Sequence, residues 1–334
     1  MRYVTTRNRT QVYLPRQTLF RDRGDDGGLF LPETWPALSL KDLARLPFTG
    51  RIADTLNRLL DTAISQWDVD FCVGRHPVGA REVGQKITLV RCWHNQQGAF
   101  SFLVRTLAAR LRQEGEARAT DWVEIAVRLA VLAAVFAEDA DTVRDVAVPA
   151  GGLHGLMSAW YGRELGLPIG NIVLCCNENG HLWELLHRGQ LRTDALSVAT
   201  DTPEGDVAVP VGLERLVRAA GGPEAVEEYR EAVRRGGVYA PGEELLQAMG
   251  RGIFVSVVSA RRMEADLRGL CARGTLSGPY EALCHGGVMD YRAATGENRP
   301  CLIFSGRSPA LDREVVERVL AVSPERQINW EERE

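Results

Sequence analysis

Two lysines, six histidines and several glycine-rich turns are the raw material for chemistry in this chain. Of its 40 basic residues only Lys41 and Lys86 are lysines, so Schiff-base chemistry has two candidates. The sharpest local pattern is Val146-Ala-Val-Pro-Ala-Gly-Gly-Leu-His-Gly155. It reads as a buried strand running into glycines that open a helix. Free N–H groups and the helix dipole favour a phosphate or carboxylate at such a place. Gly151, Gly152, Leu153, His154 and Gly155 are therefore candidate anion-binding residues. The competing explanation is structural: a turn that only glycine fits. Cys175-Cys-Asn-Glu-Asn-Gly-His181 follows the next strand, where ligands of parallel sheets sit. Asn177, Glu178, Asn179 and His181 would line such a crevice, or simply form a capped polar loop. In Trp93 to Phe102, His94 and Ser101 suggest nucleophilic chemistry, but no acidic residue or elbow motif completes a triad. Capping or core roles suit both better. Arg307, with Ser308 beside it, closes the last strand and offers an anion clamp. His76, His187 and His285 lack HxxxH or HxH spacing, so no metal site is expected.

The elements that must hold these residues alternate. Strands are expected at Ile87–Cys92, Val146–Pro149, Asn171–Cys176, Ile253–Ser259 and Cys301–Ser305. Helices are expected at Leu40–Leu46, Gly50–Trp67, Ala99–Arg112, Trp122–Ala137, Leu153–Leu165, Leu182–Arg188, Glu214–Ala220, Pro223–Arg235, Pro279–Ala294 and Leu311–Val322. In the long apolar helix, Glu124 and Arg128 stand at i,i+4. The first 36 residues are punctuated and loop-like. This order predicts an α/β fold with a mainly parallel sheet flanked by helices, and an N-terminal helical and loop segment.

Composition narrows the function classes. With 334 residues, 45% hydrophobic, the chain can bury a sizeable core. A net charge of −4 with no basic block argues against nucleic-acid binding. The longest apolar tract, Leu129–Ala137, is half of what a membrane span needs, and no secretory leader is recognised. Seven scattered cysteines without a CxxC pair read as reduced thiols of a cytoplasmic protein.

Taken in order, several segments resemble threonine synthase, a pyridoxal-phosphate enzyme of fold type II. They are Tyr3-Val-Thr-Thr-Arg7, Asp26-Gly-Gly-Leu-Phe-Leu-Pro32, Leu89 to Phe102, Asp121-Trp122, Val148 to Ile169, Asn177-Glu-Asn179, Leu213-Glu-Arg-Leu216 and Gly306 to Pro309. The matches are collinear and cover nearly the whole chain. The resemblance implies the large domain of that fold: an N-terminal segment at 1–85, an α/β core at 86–325 and a polar tail at 326–334.

Departures from the family pattern fall on its chemistry. Ser101 stands where the resemblance places the catalytic lysine, and serine forms no aldimine. Only 18 residues, 103–120, separate Phe102 from Asp121, where the family carries a mobile subdomain. One helix and a turn should replace it, with Trp93, Phe102 and Trp122 as candidates to cover the surface it left or to form a new contact surface. In the phosphate loop, Ala150 lacks the family's hydroxyl and His154 replaces a glycine. The expectation is a threonine synthase-like pseudoenzyme without confirmed cofactor, pyridoxal phosphate entering by resemblance alone. Its crevice would hold a small anionic ligand or a protein partner. Two enzyme readings stay open: a pyridoxal-phosphate lyase or synthase with an atypical lysine, and a cleft enzyme using His94, His154 or His181 with Glu178.

Overall fold

The computed structural model describes residues 1–73, 79–91, 100–113, 118–321 and 328, with the backbone course alone at 100–102. His76, Trp93 and His94 lie outside the described residues, as do the side chains of Ser101 and Phe102. Six strands form the central sheet, in the order Gly79–Glu82, Ile87–Arg91, Cys301–Ile303, Arg144–Pro149, Ile169–Cys176, Ile253–Val257. All pairs are parallel except the first, an antiparallel hairpin at the edge. The last strand in sequence, Cys301–Ile303, inserts between Ile87–Arg91 and Arg144–Pro149.

Near-continuous apolar runs suit strands buried on both faces. Ile172, Leu174 and Cys176 enter one core layer, whereas Val173 and Cys175 enter the other. The first layer contains Phe48–Leu60, Asp121–Phe136 and His154–Glu164; the second contains Ala260–Ala272, Pro279–Thr295 and Arg313–Leu320. The Asp121–Phe136 helix is apolar on nearly every side and is correspondingly central. Thr120 starts it, its hydroxyl accepting from the Val123 N–H at 3.4 Å. Asp121 and Glu124 occupy its first turn, where the helix dipole favours anions.

Three readings change. The long helix expected at Gly50–Trp67 is two, Phe48–Leu60 and Gln66–Val73. Asp61 turns left-handed (φ 50°), and the Asn57 side chain ties down the bend through Thr62 and Ile64. The loop-like N-terminus holds a helix, Pro15–Phe20, and an antiparallel pair, Tyr3–Thr5 with Phe30–Pro32. Helix Ala260–Ala272 went unread because five charged residues interrupt its apolar stripe. By contrast, Leu213–Arg235 breaks at Gly222 (φ 82°) before Pro223, where two helices are expected. The stretch after residue 100 is one helix, Phe100–Arg112, ahead of Thr120. Trp122 does not cover an exposed surface; it is fully buried in the core.

Candidate functional site

The carboxyl ends of the parallel strands carry the candidate loops. After Pro149 the chain runs through Ala150-Gly-Gly-Leu153 into the His154–Glu164 helix. The left-handed residue there is Leu153 (φ 65°), not a glycine. Neither Gly151 nor Gly152 has positive φ, so the glycines serve close approach. A Cβ on Gly151 would meet the Glu204 carbonyl at 3.3 Å, and one on Gly152 the His154 ring at 2.9 Å. A Cβ on Gly155 would meet the Val148 side chain at 3.2 Å. The cleft beside these residues has a volume of about 50 Å³ and is also lined by Glu124, Arg128, Glu204, Phe304 and Ser305.

His154 does not point freely into that cleft. Its Nε2 lies 2.9 Å from Asp121 Oδ1, and its Nδ1 3.7 Å from Glu124 Oε1. Asp121 also receives the fully buried Arg215, with Nε at 3.1 Å. Glu124 in turn binds Arg128 at 3.0 Å, as its i,i+4 spacing predicts. In the run Arg215–Asp121–His154–Glu124–Arg128 behind the glycine loop, each carboxylate thus stands between a guanidinium and the His154 ring. Burial alone would raise the Asp121 carboxyl, but Arg215 and His154 outweigh it and hold it well below the usual range. Burial likewise opposes Arg128 and His154 at Glu124, and again the net direction is down.

Unfolded Asp and Glu titrate near about 3.9 and 4.3, and both folded values lie lower. The pair's contribution is full above the unfolded values and is lost as pH falls through the folded ones. Glu281 acts oppositely. Burial raises it against the bonds from Ser305 and Gly278, so its contribution is full at low pH and lost as pH rises through its folded value. Chemical denaturation across pH should show stability falling below about pH 5. Asp121→Asn should flatten that acid limb, and an unchanged slope would remove Asp121 from the account.

Asn177 and His181 line a neighbouring cleft of about 10 Å³ that shares Ala150 and Gly151 with the first, whereas Asn179 lines neither. Asn177 and Asn179 are both tied inward. Their Nδ2 groups donate to Asp206 Oδ1 at 2.7 and 2.9 Å, and Thr200 donates to the same carboxylate through its hydroxyl and its N–H. This fastens residues 200–206 across the ends of two strands and sets Gly205 against Ala150 and Asn177. Asp206 and Glu204 were missed in the sequence, where Thr202-Pro-Glu-Gly-Asp206 signals only a turn.

Arg307 and Ser308 are not among the residues lining either cleft. Arg307 grips Asp312 at 2.8 Å and Glu204 at 3.2 Å, and Ser308 caps the following turn through Ala310. His181 bonds Ser197 at 3.1 Å while Glu178 caps Ala260 at 2.9 Å, so these two do not form an acid–base pair. Among the described residues no His, Cys, Asp and Glu cluster could hold a metal, and no helix could cross a membrane.

The resemblance implies pyridoxal phosphate, whose chemistry begins with a lysine amine. Both lysines of the chain are described. Lys86 occupies the hairpin before Ile87, at the amino end of its strand, with Nζ 3.3 Å from the Asn298 carbonyl. The five-residue strand puts roughly 15 Å between that end and the carboxyl edge. Lys41 is exposed on the one-turn helix Leu40–Leu43. The described residues thus supply no amine beside the glycine loop, and the 50 Å³ cleft is far below the roughly 300–1,000 Å³ of small-molecule sites. They do not fit a covalently held cofactor.

Four of the motifs that carry the resemblance, Tyr3–Arg7, Asp26–Pro32, Asp121-Trp122 and Leu213–Leu216, converge behind the site instead. Trp122 Nε1 donates to the Tyr3 hydroxyl at 2.9 Å, and that hydroxyl donates to the Leu59 carbonyl. Thr5 donates to Asp26 at 2.6 Å, and Thr6 to Glu214. Arg7 reaches Glu214 at 3.0 Å and the Asp26 carbonyl at 3.1 Å. Arg215 joins the Phe30 carbonyl to Asp121.

No family model matches the chain. Threonine synthase of Eremothecium gossypii is 33% identical over 70 residues, 21% of this chain and only 14% of that protein. Among solved structures, pyridoxal-phosphate-bound threonine synthase from Brucella melitensis superposes with a TM-score of 0.81 at 17% identity, covering 97% of this chain and 92% of that one. Yeast threonine synthase gives 0.80 at 15% identity, covering 98% and 91%. The Escherichia coli enzyme gives 0.69 at 16%, covering 99% and 94%. The chain has the threonine synthase fold, an α/β architecture of fold type II with a mainly parallel sheet.

Proposed function

We propose that this protein is a pseudoenzyme of the threonine synthase fold, one that acts by binding rather than through a pyridoxal-phosphate aldimine. The observation that carries this reading is the placement of its two lysines, one at the amino end of the sheet and one on the N-terminal segment. Ser101, within the Phe100–Arg112 helix, stands where the family aligns its lysine. In the same reading residues 103–120 replace the family's mobile subdomain, and the protein works in the cytoplasm. Five of the six described cysteines are buried thiols, in keeping with a reducing compartment.

The binding role falls to the glycine-loop cleft. The His154–Glu164 helix begins there, and Arg128 and His154 stand in its wall, which suits a small anion. Glu124 and Glu204 line the same cleft and disfavour a highly charged one. The histidine-based enzyme reading gains little, because both ring nitrogens of His154 face carboxylates.

The test is direct. Full-length protein mixed with equimolar pyridoxal phosphate should show no visible aldimine band. After borohydride, intact-mass and peptide spectra should show no pyridoxyl group. Stoichiometric pyridoxyl on Lys86 would overturn the reading. A thermal shift with inorganic phosphate supports the anion role; none with phosphate or cofactor directs attention to a protein partner.

A further inference from the structure

Sharing no residue with the two clefts above, a larger concavity lies between the Gln66–Val73 and Phe100–Arg112 helices, with a volume of about 620 Å³. Phe71, Asp68, Arg110 and Leu111 are in its wall. The short helix turns Val69 and Cys72 into the core and leaves its outer stripe to Trp67 and Phe71. These rings stand one helical turn apart and are 80% and 77% exposed. Two adjacent aromatic rings so open to water are unusual on a lone subunit, and Trp is the side chain most enriched at interface hot spots.

We propose that this face joins two copies of the chain about a two-fold axis. A two-fold contact uses the same patch twice, so the patch must contain both the shape and its complement. Here the protruding rings of Trp67 and Phe71 adjoin a groove with room to receive rings. The charges also complement themselves: Asp68 and Arg110, 2.6 Å apart, supply one of each sign. The two-fold brings Asp68 against the partner's Arg110 and Arg110 against the partner's Asp68. Area agrees with this occupant. Each aromatic side chain buries roughly 150–250 Å² on contact, so four rings supply at least about half of the ~1,200 Å² minimum of a stable interface. The walls of two grooves supply the remainder.

Sedimentation velocity of the full chain over a wide concentration range tests the proposal. A concentration-dependent dimer is expected. Trp67→Arg and Phe71→Arg should each raise its dissociation constant at least about tenfold, with circular dichroism and the thermal midpoint unchanged. Leu196→Arg, at a 94% exposed apolar residue elsewhere, should leave association unchanged. Arg110→Glu and Asp68→Arg should each weaken self-association, and their equimolar mixture should regain it as a heterodimer. A role within one subunit predicts no such rescue. A monomer at every concentration, a dimer indifferent to Trp67→Arg, or a mixture that fails to associate overturns the proposal.

Discussion

Asp121→Ala should lower folding stability by about 3–5 kcal/mol, because it strands a buried cation. Arg215 has no exposed side-chain surface, and Asp121 is the carboxylate it is paired with, beside its bond to the Phe30 carbonyl. A guanidinium without its carboxylate keeps the full desolvation penalty and loses the attraction that offset it. His154 loses its 2.9 Å partner in the same step, which releases the ring over Gly152. Urea unfolding followed by circular dichroism measures the loss. A cost under about 1 kcal/mol would match an exposed pair and would mean that water reaches Arg215. A second substitution, Arg215→Met in the Asp121→Ala background, should recover part of the loss by removing the unpaired charge.

Trp122→Ala should cost a comparable amount, about 3–5 kcal/mol. Trp122 is fully buried, packs edge-on against Tyr3 with ring centroids 5.5 Å apart, and lies beneath the Arg215 guanidinium at 5.6 Å. Its removal leaves a cavity where close-packed walls cannot collapse, and takes from the Tyr3 hydroxyl its 2.9 Å donor. Trp122→Phe should separate the two effects by restoring most of the volume without the N–H. If Trp122→Ala and Tyr3→Phe add without coupling in a double-mutant cycle, the hydrogen bond contributes little beyond packing.

The alternating framework was legible because burial on both faces writes itself as apolar runs, and because glycines and prolines mark where the runs stop. Arg144–Pro149 and Ile169–Cys176 lie within two residues of expectation for that reason. Gln66–Val73 was not separable from its neighbour, since its break depends on Asn57 reaching Ile64 across a turn, which no periodicity records. The antiparallel pair Leu191–Arg192 with Val238–Tyr239 joins residues nearly fifty positions apart and leaves no local trace.

The site was legible in part. Gly151 to Gly155 do meet at one cleft, and Asn177 borders the next. Arg307 reads as an anion clamp in sequence because charge is visible there and its partner is not: Asp312 and Glu204 already hold it. Asn179 faces Asp206 for the same reason. Long-range pairing decides whether a polar residue offers its hydrogen bonds to a ligand or spends them internally, and spacing along the chain says nothing of it.

The interior meeting of Tyr3, Asp26, Asp121, Trp122, Glu214 and Arg215 bears on how such proteins are recognised. The stretches most easily aligned with threonine synthase are those that lock the N-terminal segment onto the core. A search keyed to them reports that a chain has kept the lock, and says nothing about a reactive amine beside the glycine loop. Two proteins can thus share these signatures and still differ in where their lysines stand. Lysine placement is therefore a property that overall similarity leaves unread, and it has to be inspected separately in each chain of this architecture.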